Sequence, residues 1–112
     1  MIPPFTISGV LPPFVGNSTD PANVSPYLVK MSDVVSRFGI TTARIGILGG
    51  LIGYRRALAS AGVVEGFQII NGSFSEDIEQ TELREPNDID VVTFAYRPGN
   101  AKHRRLDQFH RE

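Results

Sequence analysis

Between positions 27 and 38 the apolar residues Tyr27, Leu28, Met31, Val34, Val35 and Phe38 recur three and four apart, the spacing of one helical face. Ser25 is a good N-cap, Pro26 suits the first helical position, and Gly39 supplies a stop, so the pattern predicts a helix over 26–38. A longer helix is predicted over 42–61, with Thr41 or Thr42 as cap and Gly62 as stop. Its apolar face carries Ile45, Leu48, Leu51, Ile52 and Leu58. Gly46, Gly49, Gly50 and Gly53 interrupt that helix, each at a cost of about 1 kcal/mol relative to alanine, and are expected where another backbone packs closely. A short strand follows over 66–70, bounded by Asn71-Gly72-Ser73. After a polar stretch over 74–87, read as loop or short helix, the run over 88–96 becomes almost wholly apolar and reads as a central strand. Pro98 and Gly99 end it. Leu106 and Phe109 suggest a short amphipathic helix in the tail, with no further strand.

The first 24 residues differ from the rest. Pro3, Pro4, Pro12, Pro13 and Pro21 remove backbone donors and favour extended conformations, so 1–24 is an irregular arm. Its apolar residues Phe5, Ile7, Val10, Leu11, Phe14 and Val15 are expected to dock it onto the core. The chain thus divides into the arm (1–24), a core (25–99) and a basic tail (100–112), a mixed α/β (α+β) fold with a small sheet flanked by two N-terminal helices.

At 112 residues the chain has room for one small core. Its composition, 41% hydrophobic and 21% charged, is that of a globular protein, and a net charge of -1 excludes a strongly basic nucleic-acid coat. The absence of cysteine excludes a disulfide framework, a thiolate nucleophile and a cysteine zinc site. The N-terminus has no signal-peptide pattern, and the longest apolar stretch, over 45–54, is about half of what a membrane span needs. A soluble, cytoplasmic protein is expected. Charge is nevertheless uneven: the segment 65–90 is acidic with Arg84 as its single cation, and the region from Arg97 is basic.

The chemistry concentrates in one pattern: a strand, then Gly72-Ser73, then a polar segment, then Asp88-x-Asp90 opening the next strand. Period-two geometry places the two aspartates on one face, where they repel each other unless a divalent cation lies between them. Gly72 lets a phosphate approach the backbone N–H, and Ser73 adds a hydroxyl donor. Neither the P-loop nor the dinucleotide fingerprint is present. His103 and His110 belong to no recognisable acid–base motif and read as tail residues.

In this order and context, Gly72-Ser73 and Asp88-Ile89-Asp90-Val91 resemble the signature of the nucleotidyltransferase superfamily typified by DNA polymerase beta. The wider stretch Ile70-Asn71-Gly72-Ser73-Phe74-Ser75-Glu76-Asp77, with Arg84, Pro86 and the Asp-Ile-Asp-Val-Val run, is similar to an uncharacterised bacterial and phage branch of it. The resemblance covers about residues 42–96. It implies that Asp88 and Asp90 ligate magnesium as the catalytic pair, while Gly72 and Ser73 hold the β- and γ-phosphates of a nucleoside triphosphate. Arg84, Arg97 and Lys102 are candidates, by chemical type, for neutralising phosphate charge. The implied reaction is transfer of a nucleotide to a hydroxyl of a protein, RNA or small molecule, in a toxin–antitoxin or phage-defence setting. Two departures stand out. The interval from Ser73 to Asp88 is long, and the superfamily's third carboxylate, carried on a later strand, has no counterpart in this reading, because Asp107 and Glu112 fall in the basic tail. The alternative is a catalytically incomplete binding, inhibitory or regulatory module, acting as a homodimer or with a protein partner. A third reading is a dimerising module built on the glycine-rich helix and the arm.

Overall fold

The computed structural model describes residues 1–96 and, as backbone, a strand over 105–111. The order is helix α1 (Met31–Phe38), helix α2 (Thr42–Ser60), strand β1 (Gly66–Asn71), a short helix α3 (Ile78–Thr81), strand β2 (Asp90–Tyr96) and strand β3 (Arg105–Arg111). The strands form one antiparallel sheet in the order β1-β2-β3, so β2 is central, as its apolar run predicts. Register is continuous: Gly66 opposes Ala95 and Asn71 opposes Asp90. The fold is therefore mixed α/β, with both longer helices preceding the sheet.

Burial alternates along β2. Val91, Thr93 and Ala95 are buried, whereas Asp90, Val92 and Phe94 are half-buried. The core joins Val34 and Phe38 of α1, Leu48 and Leu51 of α2, Phe74 and Ile89 of the β1–β2 connection, and Val91. A polar relay crosses from helix to sheet as well: Arg55 donates to Gln68 Oε1 at 2.8 Å, and Gln68 Nε2 donates to the buried Thr93 hydroxyl at 2.9 Å.

The largest fully buried side chain is a cation. Arg44, 1% exposed, stands on α2 in the same stripe as Leu48 and Leu51, at positions i, i+4 and i+7. Its guanidinium binds Glu79 through Nε (2.5 Å) and NH2 (3.0 Å), and donates to the carbonyls of Phe74 and Glu76, each at 2.7 Å. It also lies 5.1 Å from the centroid of the Phe74 ring. One side chain thus fixes the path of 74–79. Thr41 fastens the same helix end: its Oγ1 accepts from the Arg44 N–H at 3.2 Å and donates to Glu85 Oε2 at 2.8 Å. The cap expected at the start of α2 is Thr41, and Gly62, at φ 88°, follows its end.

Three expectations need correction. The first helix begins at Met31, not after Ser25-Pro26. The Ser25 N–H donates to the Pro13 carbonyl (2.9 Å) and the Tyr27 hydroxyl to the Pro12 carbonyl (2.6 Å), so 25–30 is irregular and tied to the arm. Asp33, accepting from the Lys30 N–H at 3.1 Å, closes the first turn instead. Second, no described residue packs against Gly46, Gly49 or Gly53: a Cβ built on each meets nothing within 4 Å. The helix buries Arg44, Leu48 and Leu51 and leaves these glycines in open space. Third, the tail forms a strand rather than a helix, because 105–111 pairs with the otherwise open edge of β2.

The arm does dock, but through part of its apolar set. Phe5 packs edge-on against Phe38, Ile2 and Leu11 pack against the core cluster, and Arg37 donates to the Ile2 and Pro3 carbonyls at 3.2 and 2.8 Å. Ile7 and Phe14 remain exposed.

Arg44→Ala leaves the Glu79 carboxylate and two loop carbonyls without their donor, and is expected to cost about 3 kcal/mol or more in urea unfolding. Arg44→Lys keeps the charge but not the planar fork, and should restore only part of that loss. The hydrogen bond from Arg44 holds the Glu79 carboxyl below its ordinary value, against the opposing effect of burial. A folded pKa below the unfolded one stabilises fully above the unfolded value, near 4.5, and that contribution is lost as pH falls through the folded value. Stability measured against pH should therefore fall along an acid limb that Glu79→Gln flattens.

Candidate functional site

β1 ends at Asn71 and β2 begins at Asp90, directly opposite each other, so the eighteen-residue connection starts and ends at one point of the sheet. Gly72 is the first residue beyond β1. At φ 85° and ψ -170° it occupies backbone space that is essentially restricted to glycine. A Cβ built on it would stand 2.8 Å from Asp90 Oδ2. The missing side chain is thus what admits the Asp90 carboxylate against the turn.

Ser73–Ser75 forms one 3-10 turn, closed by the Ser75 N–H and hydroxyl, which donate to the Gly72 carbonyl at 3.1 and 2.9 Å. The amides of Gly72 and Ser73 and the Ser73 hydroxyl make no hydrogen bond among the described residues. Phe74, fully buried beneath the turn, anchors it to the core. Donors thus lie next to a carboxylate on one short stretch of backbone.

Asp88 lies in the extended segment just before β2, not in the strand itself. The alternation of burial nonetheless reaches back to it: Asp88 and Asp90 are half-buried, and Ile89 and Val91 are fully buried. Two carboxylates flanking an inward-facing isoleucine form an all-oxygen donor pair, which suits a hard cation such as magnesium when water and phosphate oxygens complete its shell. Asp90 also takes part in an interaction within the fold. Among the described residues, no group of three or more His, Cys, Asp or Glu side chains converges as a metal cage.

Of the remaining candidates, Arg84 is described, and it is not brought to this point. Arg84 is exposed on the loop before Asp88 and turned to its own neighbours, with Nε 3.2 Å from Glu82 Oε1 and NH1 donating to the Glu85 carbonyl at 3.2 Å. Arg97 and Lys102 lie outside the described residues, and the side chain of Asp107 is likewise not described. The backbone register of β3 places Asp107 opposite Phe94 and Arg111 opposite Asp90. Asp107 is therefore four positions, about 13 Å, along the sheet from the level of Asp90.

Arg44 and Glu79 were not legible as site-building residues. The available signal is that Arg44 falls in the apolar stripe of an amphipathic helix, where a charge requires a buried partner.

An antiparallel sheet with helices packed on one face, and a glycine turn set against the Asp90 carboxylate, is the class of structure in hand. The chain belongs to the Family of unknown function (DUF6932), whose family model matches residues 3–112. No curated protein and no solved structure matches it. Among the described residues, no helix is long and apolar enough to cross a membrane.

Gly72→Ala imposes both the forbidden backbone region and the clash with Asp90. Its expected cost is about 1–3 kcal/mol, seen as a lowered denaturation midpoint. The same change at Gly49, which faces open space within a helix, should instead stabilise by about 1 kcal/mol.

Proposed function

We propose that this chain is a nucleotidyltransferase-like domain that binds magnesium and the phosphates of a nucleoside triphosphate between the Gly72-Ser73 turn and the Asp88/Asp90 pair. The observation that carries the reading is the approach of the Asp90 carboxylate to the side-chain-free face of Gly72. Phosphate oxygens at the Gly72 and Ser73 amides would lie beside that carboxylate, a repulsive arrangement that a divalent cation converts into an attractive one. Magnesium, when bound, would neutralise phosphate charge and polarise the phosphorus centre. Asp88 and Asp90 would hold it, while Gly72 and Ser73 would orient the β- and γ-phosphates.

In the active form of this reading, an acceptor hydroxyl on a protein, RNA or small molecule forms a new P–O bond at the α-phosphate. The bond to the bridging oxygen breaks, pyrophosphate leaves, and the hydroxyl proton passes to solvent. A second reading, a binding or regulatory module without turnover that works with a partner or as a homodimer, is favoured by one observation: the register of β3 sets Arg111, not a carboxylate, opposite Asp90.

Calorimetry with ATP or GTP tests the common core of both readings. Binding should require magnesium and fall at least tenfold in Asp88→Ala and in Asp90→Ala, with folding intact by circular dichroism. Binding of equal strength without magnesium, or in both variants, would overturn it. Transfer of labelled nucleotide to an acceptor then separates enzyme from binding module.

A further inference from the structure

The outer edge of β1 borders a groove of about 640 Å³, lined as well by the irregular segment 26–30. That volume is typical of a small-molecule site. The groove follows the whole of β1, from Gly66 to Asn71, and ends at Asn71, Ser75 and Glu76, immediately beside the Gly72 turn. A second cavity of about 490 Å³, under the C-terminal half of α2, touches β1 only as far as Gln68 and does not reach the turn.

Main-chain groups line this groove in a definite order. The Tyr96 N–H donates to the Glu65 carbonyl at 3.2 Å, which fixes the phase of the antiparallel ladder. Phe67, Ile69 and Asn71 therefore pair inward with β2, and Gln68 and Ile70 direct their N–H and C=O groups outward. Two donors and two acceptors thus stand along a cleft whose lining is polar and apolar in about equal parts. Phe67 lines the same cleft, 52% exposed, with its ring stacked on Phe94 at 5.1 Å between centroids. An aromatic face beside a row of alternating donors and acceptors suits a planar heterocycle that carries both on its edge.

We infer that this groove receives the nucleoside part of the bound nucleotide, its base against Phe67 and hydrogen-bonded to the outward backbone of Gln68 and Ile70. The inference rests on the phosphate reading above and extends it: the turn holds phosphates of any nucleotide, and the groove supplies preference for a base. Continuity with the Gly72 turn selects a nucleotide as occupant over an extended peptide pairing with β1 as a fourth strand.

The test compares magnesium complexes of ATP, GTP, CTP and UTP with magnesium tripolyphosphate, by calorimetry on the full chain. At least one nucleotide should bind ten times more tightly than tripolyphosphate. Phe67→Ala should remove about fivefold or more of that advantage and leave tripolyphosphate affinity unchanged. Ile70→Pro deletes an outward N–H that the β1–β2 ladder does not use, and should act in the same direction. Phe67→Ala, at a half-exposed position, keeps the inference falsifiable should the proline variant not fold. Equal binding of tripolyphosphate and all four nucleotides would overturn the inference, leave the phosphate site standing, and return the groove to a peptide. Absence of binding by every one of these compounds would overturn both.

Discussion

The Arg44 guanidinium is the constraint on which the site depends. A charge taken from water into a protein core is unfavourable unless every donor finds an acceptor, and Arg44 finds them in the Glu79 carboxylate and two loop carbonyls. All of those acceptors belong to the connection between β1 and β2. The helix thereby specifies one path for a polar segment that has little apolar surface of its own. Phe74, caught between the guanidinium and the core, and Ile78, fully buried, complete the anchoring. Gly72 and Ser73 immediately precede this pinned stretch, so the turn takes its position from a residue nearly thirty positions earlier in the chain.

The second constraint is register. Continuous pairing from Gly66↔Ala95 to Asn71↔Asp90 closes the connection at its own base. A slip of one residue would turn Asp90 to the other face, and a slip of two would move it about 7 Å from Gly72. The proximity of turn and aspartate, separated by many residues in sequence, is thus a consequence of sheet pairing. The buried side chains Ile89, Val91, Thr93 and Ala95 hold that register, since a one-residue shift would expose all of them.

Elements whose signals are local were legible in the sequence. The cap Thr41, the stop at Gly62, the span of β1 and the central place of β2 follow from capping chemistry and apolar runs. What depends on long-range partners was not. Ser25-Pro26 carries good helix-start chemistry, yet its backbone and Tyr27 are engaged by Pro12 and Pro13, and the helix starts one turn and more later. Leu106 and Phe109 are three apart and read as a helix, but the free edge of β2 imposes strand geometry, a case of tertiary context overriding a weak local pattern. The order Gly-Ser, then Asp-x-Asp, pointed to Gly72 and Asp90, which do meet. It carried no information about Arg84, whose chemical type suits phosphate but whose partners are Glu82 and the Glu85 carbonyl.

The strand that the tail forms bears on whether the site is built to turn over or to hold. Its presence means that the sheet does continue past β2, and its register decides what stands at the level of Asp90: Arg111 there, with Asp107 about 13 Å away. Two carboxylates and a set of amide donors suffice to clamp a cation and a polyphosphate, because those ligands need charge compensation and little else. Activating an acceptor hydroxyl asks for a base as well, and a positioned one contributes roughly 10²–10⁴ in rate. An arginine is no proton acceptor at neutral pH, so the residue type at that register position does not supply one. Under the function proposed above, the absence of a carboxylate opposite Asp90 in the β3 register therefore weights the site toward holding a nucleotide rather than turning it over.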